Sequence, residues 1–256
     1  MTRTPFARTL GVALFALGAQ TAAAAAQQTP AANLPPAQQV VEKYVQAVGG
    51  RQNIGKFSSR HSQVEMAIPA MGMTMNIDVY QSRPNKMFMR VDMPGMGVTT
   101  SGYDGQVAWT NNAMQGPRIL SGTEMNEALR QADFDASLDP AKSAATMETV
   151  GERTVDGRGC WNVRMVTRTG IEVMNCFDKE TGLLVGSSMK QQSQMGEMQV
   201  DVAYSDYKEF DGIRMPTKTT MSMMGQQMTS TVKSVTHEPI PDSTFALPPE
   251  IKALQH

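Results

Sequence analysis

From His61 to Thr236 apolar and polar residues alternate with a period of two, in short runs separated by turn residues. That is the pattern of half-buried β-strands. Twelve such runs are predicted, at 61–68, 73–81, 86–93, 97–103, 106–111, 146–155, 160–167, 171–178, 183–192, 197–209, 213–224 and 226–236. Two stretches break the alternation. Residues 37–48, AQQVVEKYVQAV, place Val40, Val41, Tyr44, Val45 and Val48 on one helical stripe, and Gly49-Gly50 follows as a stop. Residues 122–138, GTEMNEALRQADFDASL, predict a helical insertion with Met125, Leu129, Ala132 and Ala136 turned inward. An α+β protein, mainly an antiparallel β meander with a helical insertion, is the simplest assembly of these parts.

In such a meander the turns sort by end. At one end lie Ala70-Met-Gly72, Pro94-Gly-Met-Gly97, Gln194-Met-Gly196 and Met223-Met-Gly225, each containing Met-Gly. At the other lie Arg83-Pro-Asn85, Tyr103-Asp-Gly105, Asp178-Lys-Glu-Thr-Gly182 and Phe210-Asp-Gly212, with ordinary polar hairpin chemistry. The methionines should therefore form a soft apolar rim at one mouth of a β structure, provided the strand count keeps its parity. Strand methionines extend the rim inward: Met71, Met73 and Met75 share one face, as do Met87 and Met89, and Met221 and Met223.

Composition sharpens this pattern, because 22 of 256 residues are Met, several times ordinary usage. Met is unbranched and polarizable, and it suits a surface that must accommodate variable apolar shapes. Plain gap-filling of a core is the bland alternative. Thioethers spaced at i, i+2 can also ligate Cu(I), and Met can act as a sacrificial, reversibly oxidised group.

The N-terminus carries Arg3 and Arg8, the apolar run Leu10–Leu17 and an alanine tract at 22–26, the order of a cleaved secretory signal peptide over residues 1–26. Residues 27–36 read as a flexible leader, and 37–256 as a single domain. Later segments hold no apolar run long enough to predict a transmembrane segment in the mature chain. Removing two arginines takes the charge from 23 − 24 = −1 to 21 − 24 = −3. That is too near neutral to point to nucleic acid. The periplasm is the expected compartment. There Cys160 and Cys176, on either side of a Thr-Arg-Thr-Gly turn, read as a hairpin disulfide if the register sums to 336. A redox-active or metal-binding pair is the sharper alternative, without a CxxC spacing to support it.

The chain contains no G-x-S-x-G, H-E-x-x-H, P-loop or dinucleotide fingerprint. Its three histidines, His61, His237 and His256, are scattered. Catalysis is the minority reading, and no cofactor or metal is expected. Trp109 and Trp161 are either core anchors or markers of a ligand cavity.

The succession VVEKYVQAVGG, alternating strands, YDGQVAW, a helical insertion, FDKETGLLVG and DYKEFDGIRMPTK resembles the LolA/LolB-like superfamily of outer-membrane lipoprotein-sorting proteins over about residues 37–250. In the last motif Pro216 would suit an edge or bulge position. The resemblance implies an incomplete, half-open β-barrel of about eleven strands covered by helices, with 37–48 and 122–138 as lid elements. It also implies an apolar cavity for acyl chains, no enzymatic activity and no cofactor. The Met content and the hairpin disulfide depart from the sorting carriers. The reading that combines residues and resemblance is a periplasmic carrier of a lipid or lipoprotein acyl chain. Met71, Met73, Met75, Met87, Met89, Trp109, Met221 and Met223 would line its cavity. A Met-rich Cu(I)-binding protein, or a sensor module whose Met rim docks an envelope protein, are the alternatives.

Overall fold

The computed structural model describes residues 34–193 and 196–255. The expected signal peptide, residues 27–33 of the leader, residues 194–195 of one Met-Gly turn and His256 lie outside the described residues.

Thirteen antiparallel strands form one open sheet in the order β6-β5-β4-β3-β2-β1-β13-β12-β11-β10-β9-β8-β7. In chain order they are β1 Ser59–Ile68, β2 Met73–Ser82, β3 Lys86–Met93, β4 Gly97–Tyr103, β5 Ala108–Asn112, β6 Gly116–Ile119, β7 Ala144–Val155, β8 Arg158–Thr167, β9 Glu172–Asp178, β10 Leu184–Ser193, β11 Gly196–Phe210, β12 Ile213–Met223 and β13 Gln226–Thr236. Twelve match the expected runs. The thirteenth, β6, holds only four residues with Pro117 among them, too short and too proline-broken for alternation to reveal.

The additional strand leaves the end assignment intact, for a topological reason. β6 and β7 lie at opposite edges and point the same way, so residues 120–143 must travel back along the full height of the sheet. That return restores the parity. The β1–β2, β3–β4, β5–β6, β10–β11 and β12–β13 connections therefore share one end. Met71, Met96, Met114 and Met224 stand on it, 59%, 48%, 84% and 60% exposed.

Two helices cover one face of the sheet, here called the inner face. α1, Ala37–Ala47, buries Val40, Val41, Tyr44 and Val45, and with Val48 they pack against Val163, Met165, Phe177, Leu183 and Ile213. Its end is tied to the polar turns: Lys43 Nζ donates to the carbonyls of Lys179 and Glu180 at 2.6 and 2.9 Å, and the Arg214 amide donates to Val48 O at 2.9 Å. Gly49-Gly50 stops α1, and a short α2, Gly50–Ile54, follows at once. Gly49 has φ 127°, and a Cβ there would meet Gly212 O at 2.5 Å, so the close approach requires glycine.

α3, Gly122–Ala132, is the helical part of the expected 122–138 insertion, and residues 133–143 continue as turns. Ala128 and Ala132, flanked by Met125 and Leu129, pack on Met87, Tyr103 and Ala108 of the inner face. Ala136 instead borders a cavity.

The outer face carries its own core. His61, Tyr80, Phe88 and Trp109 form a row across β1, β2, β3 and β5, with ring centroids 4.1, 5.9 and 6.2 Å apart. Trp109 lies over Gly102, where a Cβ would come within 3.0 Å of the indole nitrogen. The C-terminal segment is fastened on this side by Lys86–Asp242 and Asn111–Glu250 contacts.

The disulfide joins Cys160 and Cys176, with Cα atoms 5.4 Å apart. The register differs from the expected one. Cys160 opposes Asp178 and Asn162 opposes Cys176, a sum of 338, so the bridge runs diagonally between the strands. The turn sets this offset, because the Thr167 amide donates to Ile171 O, which centres the hairpin on Thr169 rather than on Arg168, the midpoint between the cysteines. Pro216 meets its expectation. β13 pairs β12 only over 218–223, which leaves Pro216 on a locally free edge where no amide is needed.

Candidate functional site

Because strand side chains alternate, the register that places Met165 and Phe177 under α1 fixes the inner face of every strand. It passes through Met75 and Met66, which oppose each other on β2 and β1, and through Met221 and Met228, which oppose each other on β12 and β13. Met73, Met89, Met198 and Met223 fall on the same side. Met75 is buried, while Met66, Met73, Met89, Met221, Met223 and Met228 are half-buried. The result is a methionine-rich apolar strip on the sheet, leading to the exposed Met rim.

Of the residues expected to line a ligand site, Met73, Met75, Met89, Met221 and Met223 are brought onto this strip. Met71 is not, because Pro69–Met71 form a 3-10 turn that breaks the alternation and places it on the rim. Met87 is on the inner face but closed off beneath α3. Trp109 is on the outer face, 2% exposed. Met66 and Met228 complete the strip. Their positions two residues apart from other inward side chains were the signal available for them.

Beside the strip, between the inner face of β8–β12, α1 and residues 133–144, lies a cavity of about 440 Å³. That is within the usual size range for small-molecule sites. Met165, Met189, Met215, Val173, Phe177 and Leu184 supply much of its apolar wall, and Arg60, Gln81, Arg130 and Tyr204 its polar groups. None of the eight expected ligand residues borders it.

The segment 133–143 is clamped over this region by ion pairs that sequence patterns did not reveal. Arg51 Nε and Nη2 donate to the two oxygens of the Asp139 carboxylate, at 2.8 and 3.3 Å, and that carboxylate is 2% exposed. Arg83 donates to Asp135 and to the carbonyls of Phe57 and Ile54. Lys142 adds a second cation to Asp135 at 2.7 Å. Burial opposes ionisation of Asp135, but the Arg83 and Lys142 bonds outweigh it and hold its carboxyl below the usual range. The Phe134 ring lies between Arg83 and Arg60, whose guanidinium carbons stand 4.5 and 5.2 Å from its centroid. Tyr44 OH donates to Ser137 O, joining α1 to the same segment, and burial pushes its phenol pKa up.

His61 and His237 have structural partners. His61 Nε2 is 3.0 Å from Asp78, and His237 Nδ1 is 3.0 Å from Asp211 and stacks on Phe57. Among the described residues no group of three or more His, Cys, Asp or Glu side chains is placed to hold a metal ion.

The family model described as a domain of unknown function, DUF4412, matches residues 107–251, more than half of the chain. No curated protein matches the sequence. Among solved structures, a LolA superfamily protein from Nitrosomonas europaea is similar over 83% of this chain and 98% of its own, with 14% identity and a TM-score of 0.59. A DUF1329 family protein from Desulfovibrio piger covers 82% and 97% at 13% identity, with a TM-score of 0.57. A proposed outer-membrane lipoprotein-sorting domain from Vibrio parahaemolyticus covers 80% and 97% at 10% identity, with a TM-score of 0.52. At these identities the likeness establishes the fold, which is LolA-like.

Proposed function

Because the chain belongs to the DUF4412 family and its fold is LolA-like, we propose that it is a non-enzymatic periplasmic protein that holds a lipid or acyl chain on its inner face. The observation that carries this reading is the half-buried methionine strip beside a 440 Å³ cavity. A face meant only for packing would be closed by a helix, as Met87 is by α3. The strip instead leaves adaptable, polarizable side chains in partial contact with solvent. The mechanism is reversible burial. Each CH₂ withdrawn from water contributes about 0.8 kcal/mol, so roughly a dozen carbons give useful affinity after ordering costs. Low specificity for chain shape follows from the flexibility of Met. A partner that delivers or receives the cargo would meet the exposed rim of Met71, Met96, Met114 and Met224.

The test is native mass spectrometry of the protein purified gently from its own envelope. An added mass matching a lipid is expected. A bare chain that also fails to take up any amphiphile in solution would overturn the proposal.

A further inference from the structure

Three charged side chains among the described residues are buried: Arg60, Asp139 and Asp178. Both acids are matched by arginines, Arg51 and Arg158. Arg60, 6% exposed, has no carboxylate of the described residues within ion-pairing distance. Its Nε and Nη2 donate to one neutral acceptor, Gln81 Oε1, at 3.2 and 2.5 Å, and its Nη1 is buried without any hydrogen-bond partner. Gln81 is itself held, donating to Gln131 O at 2.9 Å.

A buried cation left this way is costly, and native proteins seldom keep one without a counterion. Burial lowers its pKa to about 10, with Asp135 opposing that shift and Arg83 adding to it, so the guanidinium remains charged at neutral pH. Arg60 borders the 440 Å³ cavity. Arg130 borders it too but is paired with Glu127, and Asp133 is an acid on the same wall. The cavity is therefore apolar along much of its wall, and at its polar end the buried Arg60 keeps a donor without an acceptor.

Position along the strand adds direction. Arg60 opposes Gln81 near the polar-turn end of β1 and β2, whereas Met66 opposes Met75 and Ile68 opposes Met73 toward the Met rim. The eight steps from Arg60 to Ile68 span roughly 26 Å at about 3.3 Å per residue. One inner face thus runs from an unmatched cation to a methionine-lined mouth.

Resting on the carrier reading, we infer that the ligand is an anionic single-chain amphiphile bound head first, its carboxylate or phosphate on Arg60 and its acyl chain along the methionine strip. The head supplies the acceptor that Arg60 lacks, and the chain covers the half-buried thioethers.

The experiment titrates the full mature chain with dodecanoate and dodecyl phosphate below their micelle concentrations and dodecanol below its solubility limit, and reads binding by calorimetry. At least one of the two anions should bind about tenfold or more tighter than the alcohol, as a charge-assisted hydrogen bond requires. Which of the two binds tighter assigns the head as carboxylate or phosphate. Arg60→Met should remove that preference while leaving dodecanol affinity within about threefold of the unaltered chain. Equal affinity of anions and alcohol for the unaltered chain would overturn the inference and leave the carrier reading standing. Absence of binding by all three would overturn both. Because the comparison of head groups uses the unaltered chain, it decides the question even if Arg60→Met does not fold.

Discussion

Replacing Asp139 by Asn tests whether ion pairs hold the 133–143 segment over the cavity. The carboxylate is 2% exposed and accepts two hydrogen bonds from Arg51, at 2.8 and 3.3 Å. Bonds to charged groups contribute about 1.5–3 kcal/mol. The penalty of a stranded buried charge, about 3–5 kcal/mol, does not apply, because Arg51 is 44% exposed and keeps Glu42. The expected loss is therefore about 2 kcal/mol. For a domain of this size each kcal/mol moves Tm by about 2–4 °C, so thermal unfolding followed by circular dichroism should shift down by about 4–8 °C. Hydrogen exchange at amides 133–143 should accelerate more than exchange in β8–β12, and bound amphiphile should leave faster. Glu42→Gln, on the solvent side of the same arginine, should do much less. A Tm within about 1 °C of the unaltered chain, together with unchanged exchange in 133–143, would refute the clamp.

Replacing both Cys160 and Cys176 by Ser should cost about 3 kcal/mol in a denaturant titration, from the 16-residue separation that the bridge closes; an unchanged midpoint would deny the bridge a stabilising role. Met224 occupies a left-handed turn position, φ 52°, where the Asp156-Gly157 and Asp211-Gly212 turns use Asp, so Met224→Asn should raise stability by about 0.5–1 kcal/mol in the same titration. Burial raises the Asp178 carboxyl, but bonds from Thr181 and Arg158 outweigh it, so Asp178, like Asp135, has a folded pKa below its unfolded value of 3.8. Their stabilisation should be complete above that value and be lost as pH falls through the lower folded values, and Asp178→Asn should flatten this acid limb of a stability profile.

Periodicity alone located α1, by its helical stripe, and all but one strand, because a sheet with one face buried imposes its period of two on the residues themselves. The Met-Gly turns declared themselves in the same way, since turn composition is local and the end of each turn follows from counting strands. The count survived the omission of β6 only because residues 120–143 recross the sheet, a fact of tertiary topology that nothing in the insertion's own sequence states. Met73, Met75, Met89, Met221 and Met223 share a face for reasons legible in their spacing. Whether that face is covered was not legible, because α3 comes from a distant part of the chain and closes over Met87 while leaving the strip half-open. Trp109 went to the outer face by the same rule of alternation, applied to a strand whose register only the fold supplied. Arg60 and Gln81 lie 21 residues apart and carry no motif. The ordinary arginine of the sequence became a buried, unmatched cation only when the strands paired and Phe134 closed over it, since burial and the absence of a counterion are properties of surroundings rather than of residue type.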